Sequence, residues 1–368
     1  MLDLAAYLTN GVENIVKGIL RATLKDPHES TFMLKFSRAS KEAALRRASF
    51  EKMGEHIPPF LIASITSSCN LHCAGCYARH NQACCDSAPF DQLTDVDWKR
   101  IFCEARDCGV SFILLAGGEP MIREDVIRAA GGVPEILFPI FTNGTMIDDT
   151  YLDLLKRRRN LVPIFSIVGH QEKTDERRGA GVYQRLISAM DRMKQNHLIY
   201  GASITVTREN LAEVTSGSFI NTLRERGCKA VVYVEYVPVD EESQSLAPQD
   251  EDRALLDARI GKLRNEYMDM LFVSFPGDEK SSGGCLAAGR GFFHINSHGG
   301  AEPCPFSPYS DINVKETSLR EALKSRLFTA LRSGNMLTGE HSGGCVLFEQ
   351  RAQVEAIINQ EDHANEEH

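Results

Sequence analysis

Short apolar runs alternate with amphipathic stretches along most of this chain. The runs at 60–66, 111–116, 136–141, 162–168, 199–207 and 229–237 have the length and composition of buried strands. Between them, apolar residues recur at helical spacing at 94–107, 123–131, 147–158, 182–196 and 211–226. Strands that alternate with helices predict an α/β domain on a parallel sheet with right-handed crossovers.

The ends of several predicted strands carry glycine or asparagine, as in Gly117-Gly118, Asn143-Gly144 and Gly169. If the sheet closes into a barrel, the loops after the strands carry the chemistry. An open α/β sheet would give the same alternation, so periodicity alone does not choose between the two.

Residues 1–58 have a different pattern, which predicts two helices, the second over 41–53. The apolar stripe of the first comprises Leu4, Tyr7, Leu8, Val12, Ile15, Val16, Ile19 and Leu20. We expect this stripe to pack against the main domain. The alternative is a helix on a membrane surface, but only Lys17, Arg21 and Lys25 supply positive charge there.

Composition excludes several classes of protein. The 368 residues include 41 lysines and arginines against 50 aspartates and glutamates, a net charge of −9 without the basic face that nucleic acids require. No apolar run reaches the length of a membrane span, and the residues after Met1 do not resemble a secretory signal. Eleven cysteines in a chain expected in the reducing cytoplasm favour metal chemistry over disulfides.

Three of these cysteines form a compact group directly after the first predicted strand. Cys69, Cys73 and Cys76 are spaced C-x3-C-x2-C. Thiolates are the usual ligands of iron–sulfur clusters. A structural zinc site normally takes four protein ligands, whereas three leave one metal corner free for a small molecule.

This motif, on a loop that opens an α/β alternation, resembles that of the radical S-adenosylmethionine (SAM) superfamily. The resemblance implies a partial (β/α)6 TIM-like barrel and a [4Fe–4S] cluster held by Cys69, Cys73 and Cys76, with Tyr77 as the aromatic residue that often follows. It also implies that the free iron binds SAM, whose reductive cleavage yields a 5′-deoxyadenosyl radical.

The resemblance implies further SAM-binding residues at later strand ends, in each case with an ordinary turn or salt bridge as the alternative. They are Gly117, Gly118, Glu119 and Pro120 for the methionine part, and Asn143, Ser166, Arg178 and Thr205. Asn210 and the strand end at Val237-Pro238 are secondary candidates. Val168 stands where the family frequently has aspartate, which puts any substrate role of that carboxylate in doubt.

A second cysteine group lies near the C-terminus. Cys285, Gly299 and Cys304 follow a C-x13-G-x4-C pattern, and Cys345 comes later. This resembles the SPASM and shorter twitch subdomains of the same superfamily, which implies a second, auxiliary [4Fe–4S] cluster. Its fourth ligand is open between Cys228, His341, a non-cysteine group and bound substrate, and the alternative is three isolated buried thiols.

The predicted organisation is an N-terminal helical extension at 1–58, a radical SAM core at 59–240, and a cluster-binding subdomain with an acidic tail at 241–368. The expected function is hydrogen abstraction from a C–H bond in peptide or protein modification, with an electron donor such as flavodoxin or ferredoxin. The alternatives are the same chemistry on a lipid, sugar or other small molecule, and a non-catalytic metal-binding module. No catalytic side chain is assigned, and Cys84 and Cys85 stay without a role.

Overall fold

A nine-stranded sheet forms the centre of the structure, which is a computed structural model that describes residues 3–86, 91–238, 240–276, 282–338 and 345–365. The strands are β1 (Phe60–Thr66), β2 (Phe112–Gly117), β3 (Phe138–Thr142), β4 (Leu161–Ile167), β5 (Gly201–Val206), β6 (Ala230–Glu235), β7 (Leu271–Phe275), β8 (His294–Ile295) and β9 (Ala301–Glu302).

The strand order is β7-β6-β5-β4-β3-β2-β1-β8-β9, and every neighbouring pair is parallel except β8–β9. Because β1 to β7 follow in chain order, the connecting helices all lie on one face of the sheet. Such a sheet curls around its other face, so the predicted partial barrel is confirmed and a doubly wound open sheet is excluded.

Fifteen α-helices lie within the described residues. They are α1 (Leu4–Thr23), α2 (Pro27–Lys52), α3 (Tyr77–His80), α4 (Asp95–Cys108), α5 (Glu124–Gly131), α6 (Asp149–Arg157), α7 (Gln171–Arg178), α8 (Val182–Gln195), α9 (Leu211–Val214), α10 (Gly217–Glu225), α11 (Asp250–Glu266), α12 (Leu319–Ala322), α13 (Arg326–Ser333), α14 (Val346–Glu349) and α15 (Arg351–Asn365). None of the helices in these described ranges is long and apolar enough to cross a bilayer.

Helices α1 and α2 close the amino end of the barrel. Val16 of α1 and Phe36 of α2 belong to a buried cluster with Phe112 and Val162, at the starts of β2 and β4. The rings of Phe36 and Phe112 meet edge to face at 5.5 Å. The apolar stripe of the first helix therefore packs against the main domain, as predicted.

The interior of the barrel is accessible at the opposite, carboxyl end. Outward-facing Leu61 and Ala63 of β1 are fully buried beneath the helices, whereas the alternate Phe60, Ile62 and Ser64 are only partly buried. On β4 and β5, the only partly buried residues are Ser166 and Thr205, next to the carboxyl ends. The inner face thus encloses an accessible space above its sealed base.

Candidate active site

The cysteine loop, residues 67–76, leaves the carboxyl end of β1. Its thiols, Cys69, Cys73 and Cys76, are free and partly buried. Cys85 returns to the start of this loop, since its N–H donates to Ser67 O at 2.7 Å and its carbonyl accepts from Cys69 N–H at 3.1 Å. These backbone hydrogen bonds therefore hold Cys69 in position without the help of a bound ligand.

Cys84, which had no predicted role, is buried against this loop. A hydrogen bond between the Cys84 and Cys69 thiols lowers the pKa of Cys69 to about 6. The same hydrogen bond, with burial, raises the pKa of Cys84. Cys69 is therefore readily deprotonated, which suits a metal ligand.

The C-terminus of α7 holds the middle of the loop. Ala74 N–H donates to Arg177 O at 2.8 Å, and Nε of Arg177 donates back to Ala74 O at 3.2 Å. Nη1 of Arg178 lies 3.9 Å from Sγ of Cys73. Its Nε is shielded from solvent and has no hydrogen-bond partner among the described residues. Arg178, predicted for SAM, thus lies at the cluster loop with one donor unused.

Gly117 and Gly118 bring the end of β2 against the loop backbone. Gly118 N–H donates to Thr66 O at 2.9 Å, and a Cβ atom at Gly118 would lie 2.1 Å from Ser68 O. At Gly117, φ is +121°, and a Cβ atom would lie 2.1 Å from Thr66 O. These glycines are required by the approach of two chain segments, in addition to any approach of a ligand.

Glu119 and Pro120 continue this turn, and both are buried. The Glu119 carboxylate accepts hydrogen bonds from Thr142 Oγ1 and Asn143 N–H, both at 2.7 Å. Asn143 Nδ2 in turn donates to Asn70 Oδ1, inside the cysteine loop, at 2.8 Å. Glu119 and Asn143 therefore join the ends of β2 and β3 to the loop.

Ser166 and Thr205 both lie on the inner face of the sheet, where Ser166 pairs with Ser203 and Thr205 is two residues further along β5. Val168 is buried just beyond β4. Asn210 Nδ2 donates to Val168 O at 3.0 Å and to Thr205 O at 2.9 Å. Asn210 thus stabilises the turn between these strand ends, and its amide is occupied.

Tyr236 is a site residue that the sequence analysis missed. It follows β6, is only 4% exposed, and its hydroxyl has no partner among the described residues. A Cβ atom at Gly75 would lie 2.7 Å from this hydroxyl, and the Arg177 guanidinium lies 5.6 Å from the ring centre. The predicted strand end at Val237-Pro238 could have indicated Tyr236. This residue directly precedes Val237 and continues the alternation by which every second residue of β6 faces inward.

The C-terminal cysteines approach one another beside β9. A hydrogen bond joins the Cys304 and Cys345 thiols, and Cys285 is near enough to raise the pKa of Cys304 further. Cys285 N–H donates to Leu337 O at 2.8 Å. Tyr77, directly after the cysteine loop, contacts Phe306 with ring centres 4.9 Å apart. The two cysteine groups are thus linked through an aromatic contact.

Among the alternatives for a fourth ligand, Cys228 lies in the hydrophobic core, where its thiol donates to Ala230 O at 3.2 Å and burial raises its pKa to about 12. His341 lies outside the described residues. In the part of the chain that the structure describes, no three His, Cys, Asp or Glu side chains are gathered as around a single metal ion. A cubane cluster binds each thiolate at a different iron, so its ligands stand further apart than those of one ion.

Residues 63–215 match the family model of the radical SAM superfamily. This chain carries a radical SAM domain. This match supports an enzyme, and the enzymes of that superfamily use a [4Fe–4S] cluster and SAM. The alternative of a non-catalytic metal-binding module is thereby set aside.

Two curated relatives extend beyond that domain. The AdoMet-dependent heme synthase of Methanosarcina barkeri is 27% identical over 312 residues, which cover 77% of this chain and 87% of the relative. The PqqA peptide cyclase of Rhizobium meliloti is 23% identical over 291 residues, 75% of this chain and 76% of the relative. Among solved structures, Streptococcus suis SuiB bound to S-adenosylmethionine superposes with a TM-score of 0.65 at 16% identity, covering 83% of this chain and 77% of SuiB, which supports the fold.

The residues gathered at the carboxyl end of the barrel have properties that a [4Fe–4S] cluster and SAM would require. Three free thiols on one loop match the ligand number of a cluster with an open iron. Arg178 Nε and the Tyr236 hydroxyl are buried donors without partners among the described residues. Because such donors are rarely left unpaired, they indicate that a polar ligand completes this site.

Proposed function

We propose that this enzyme abstracts a hydrogen atom from an unactivated C–H bond of a substrate held at the carboxyl end of the barrel. In this proposal, Cys69, Cys73 and Cys76 hold the cluster. When bound, the cluster and SAM supply a 5′-deoxyadenosyl radical on one-electron reduction. The observation that carries the proposal is that unpartnered Arg178 Nε and Tyr236 OH adjoin the same three-thiol loop.

The residues of this site have two proposed roles. Some bind SAM through their side chains, and the others present backbone groups to SAM and support the cysteine loop. Arg178 binds the SAM carboxylate, since a guanidinium donates well to carboxylates. Ser166 and Thr205, on the inner face, hydrogen-bond the polar parts of SAM. Gly117, Gly118, Glu119, Pro120 and Asn143 present backbone groups to the methionine part and keep the cysteine loop in position.

A second [4Fe–4S] cluster bound by Cys285, Cys304 and Cys345 is the next element of the proposal. The hydrogen-bonded Cys304 and Cys345 thiols, with Cys285 close by, support it. Cys228 is disfavoured as the fourth ligand because its thiol is committed to the core. A non-cysteine group, His341 or the substrate completes this cluster.

Peptide or protein modification is the first candidate activity, supported by the similarity to the PqqA peptide cyclase. A tetrapyrrole is the second candidate substrate, supported by the heme synthase, which matches over more of its own length. The enzyme works in the cytoplasm and takes electrons from flavodoxin or ferredoxin. Its net charge of −9 argues against a nucleic-acid substrate.

Anaerobic reconstitution tests this function. Two [4Fe–4S] clusters require about eight iron atoms per chain, and dithionite with SAM should then yield 5′-deoxyadenosine. Bound zinc instead of iron, or no 5′-deoxyadenosine, would refute the proposal. Addition of a precursor peptide or an iron porphyrin then separates the two substrates, because the right one accelerates 5′-deoxyadenosine formation.

A further inference from the structure

His294 connects the interior of the barrel to a buried carboxylate. His294 and Glu302 are directly paired on β8 and β9, and Nδ1 of His294 lies 2.6 Å from Oε2 of Glu302. On the other side of the ring, Nε2 lies 2.7 Å from Oγ of Ser64 on β1. The side chains of His294 and Glu302 are only 6% and 7% exposed. The three groups form one continuous hydrogen-bonded chain.

The chemistry of these groups gives the chain a direction. A carboxylate oxygen can only accept, so Nδ1 of His294 carries the proton that is donated to Glu302. In the neutral ring, Nε2 is then an acceptor, and the Ser64 hydroxyl donates to it. The lone pairs of Ser64 Oγ stay free to accept a hydrogen bond from another molecule.

The Ser64 end of this hydrogen-bonded chain faces the barrel interior. Ser64 continues the inward alternation of Phe60 and Ile62, and it pairs with Ala116 across β1 and β2. Phe60 stacks on Phe112 inside the base at a centroid distance of 5.2 Å. Ser64 lies nearer the carboxyl end and is only partly buried, whereas His294 behind it is buried. A substrate in this space can therefore reach Ser64.

The Glu302 end of the hydrogen-bonded chain is fixed in place. Asn296 Nδ2 donates to Oε1 of Glu302 at 2.6 Å, while Asn296 Oδ1 accepts from Gly300 N–H at 2.9 Å. Burial raises the pKa of the nearby Tyr77 phenol, and the charge of Glu302 makes a smaller contribution in the same direction. Tyr77 is thus a neutral neighbour. Glu302 acts as a fixed hydrogen-bond acceptor.

We propose that Ser64, His294 and Glu302 form a proton relay that takes a proton from an O–H or N–H group of the substrate. The substrate proton passes to Ser64 Oγ as the Ser64 proton passes to Nε2 of His294, and Glu302 stabilises the resulting imidazolium. No electron moves in this step. The inference rests on the proposed function, and it requires a substrate with an amide or hydroxyl donor beside the reacting carbon.

A thiol at position 64, in place of the Ser64 hydroxyl, tests the relay without the substrate. In Ser64→Cys, proton transfer to His294 should stabilise the thiolate, so that iodoacetamide alkylates position 64 with a midpoint at least one pH unit below the usual value of about 8.5. At pH 6.5 the rate, followed by peptide mass spectrometry, should exceed that of Ser64→Cys/His294→Gln by about tenfold.

Equal midpoints with and without His294 would overturn the relay, and so would a position 64 that is inert at every pH, because the interior would then be closed to substrate. The unmodified enzyme gives an independent measurement. With ¹⁵N-labelled histidine, one buried ring should carry its proton on Nδ1 and accept a hydrogen bond at Nε2, and Ser64→Ala should shift its Nε2 resonance. A ring protonated on Nε2 would refute the relay. Formation of 5′-deoxyadenosine by the same preparation reports separately on the proposed function.

Discussion

Nη1 of Arg178 lies 3.9 Å from Sγ of Cys73, so a desolvated guanidinium from the fourth βα unit adjoins a thiol of the loop after β1. Burial lowers the pKa of Arg178 and raises that of Cys73, and the attraction between them opposes both shifts. The attraction between the two groups is strongest when Arg178 is a cation and Cys73 a thiolate. Arg178 therefore favours a thiolate at Cys73 and keeps Nε available to an anionic ligand.

Replacing Arg178 should separate these two effects. Arg178→Lys removes the planar set of donors, and we expect SAM to bind about tenfold more weakly, the loss of one hydrogen bond to a charged group. Calorimetric SAM titration of the reconstituted enzyme measures this. Arg185→Lys, on the exposed side of α8, is the control and should bind SAM normally. Unchanged affinity in Arg178→Lys would remove Arg178 from the SAM site.

Gly118→Ala should disrupt the cysteine loop, because the new Cβ atom would lie 2.1 Å from Ser68 O. The chain must shift beside Cys69, so we expect iron to fall from about eight to about four atoms per chain, with the auxiliary cluster retained. Gly261→Ala is the matched control, since a Cβ atom there meets nothing within 4 Å. That helical substitution should raise stability by about 1 kcal/mol and leave the iron content unchanged.

The auxiliary cysteines permit a corresponding experiment. A variant with Cys285, Cys304 and Cys345 all changed to alanine should retain about four iron atoms and still cleave SAM. Cys228→Ala is the control and should retain about eight, because its thiol bonds Ala230 in the core. A triple variant that keeps about eight irons would eliminate the auxiliary cluster.

Glu119 should make stability depend on pH. Burial is the largest cause that raises its pKa to about 7 from 4.5, while hydrogen bonds from Asn143, Thr142 and Met121 act in the opposite direction. The folded pKa lies above the unfolded one, so its ionisation destabilises the folded protein as pH rises from about 4.5 through 7. The unfolding free energy of Glu119→Gln relative to the unmodified enzyme should therefore rise by about 3 kcal/mol between pH 4.5 and 8. Denaturant titrations across this range measure it, and a constant difference would contradict the prediction.

The packing of α2 against the amino end of the barrel also contributes measurably to the free energy of unfolding. Phe36 is 1% exposed, and Phe36→Ala should cost about 3–5 kcal/mol of unfolding free energy through the cavity it leaves. Leu34→Ala, two residues away on the same helix but 59% exposed, should change stability by less than about 0.5 kcal/mol. Equal effects of the two substitutions would show that α2 does not pack as described.

The amino-acid sequence by itself determined the alternation of strands and helices, the three-thiol loop and its family, because these depend on residue type and short-range spacing. Only the tertiary structure decided that Glu119 and Asn143 together join two strand ends to the cysteine loop. It also decided the contact of Arg178 with Cys73 and the position of Tyr236 over Gly75. The same holds for the chain from Ser64 through His294 to Glu302, which joins residues 230 positions apart. Parallel pairing of β1 with β8 brings these groups together, and no local pattern encodes which distant strand becomes a neighbour.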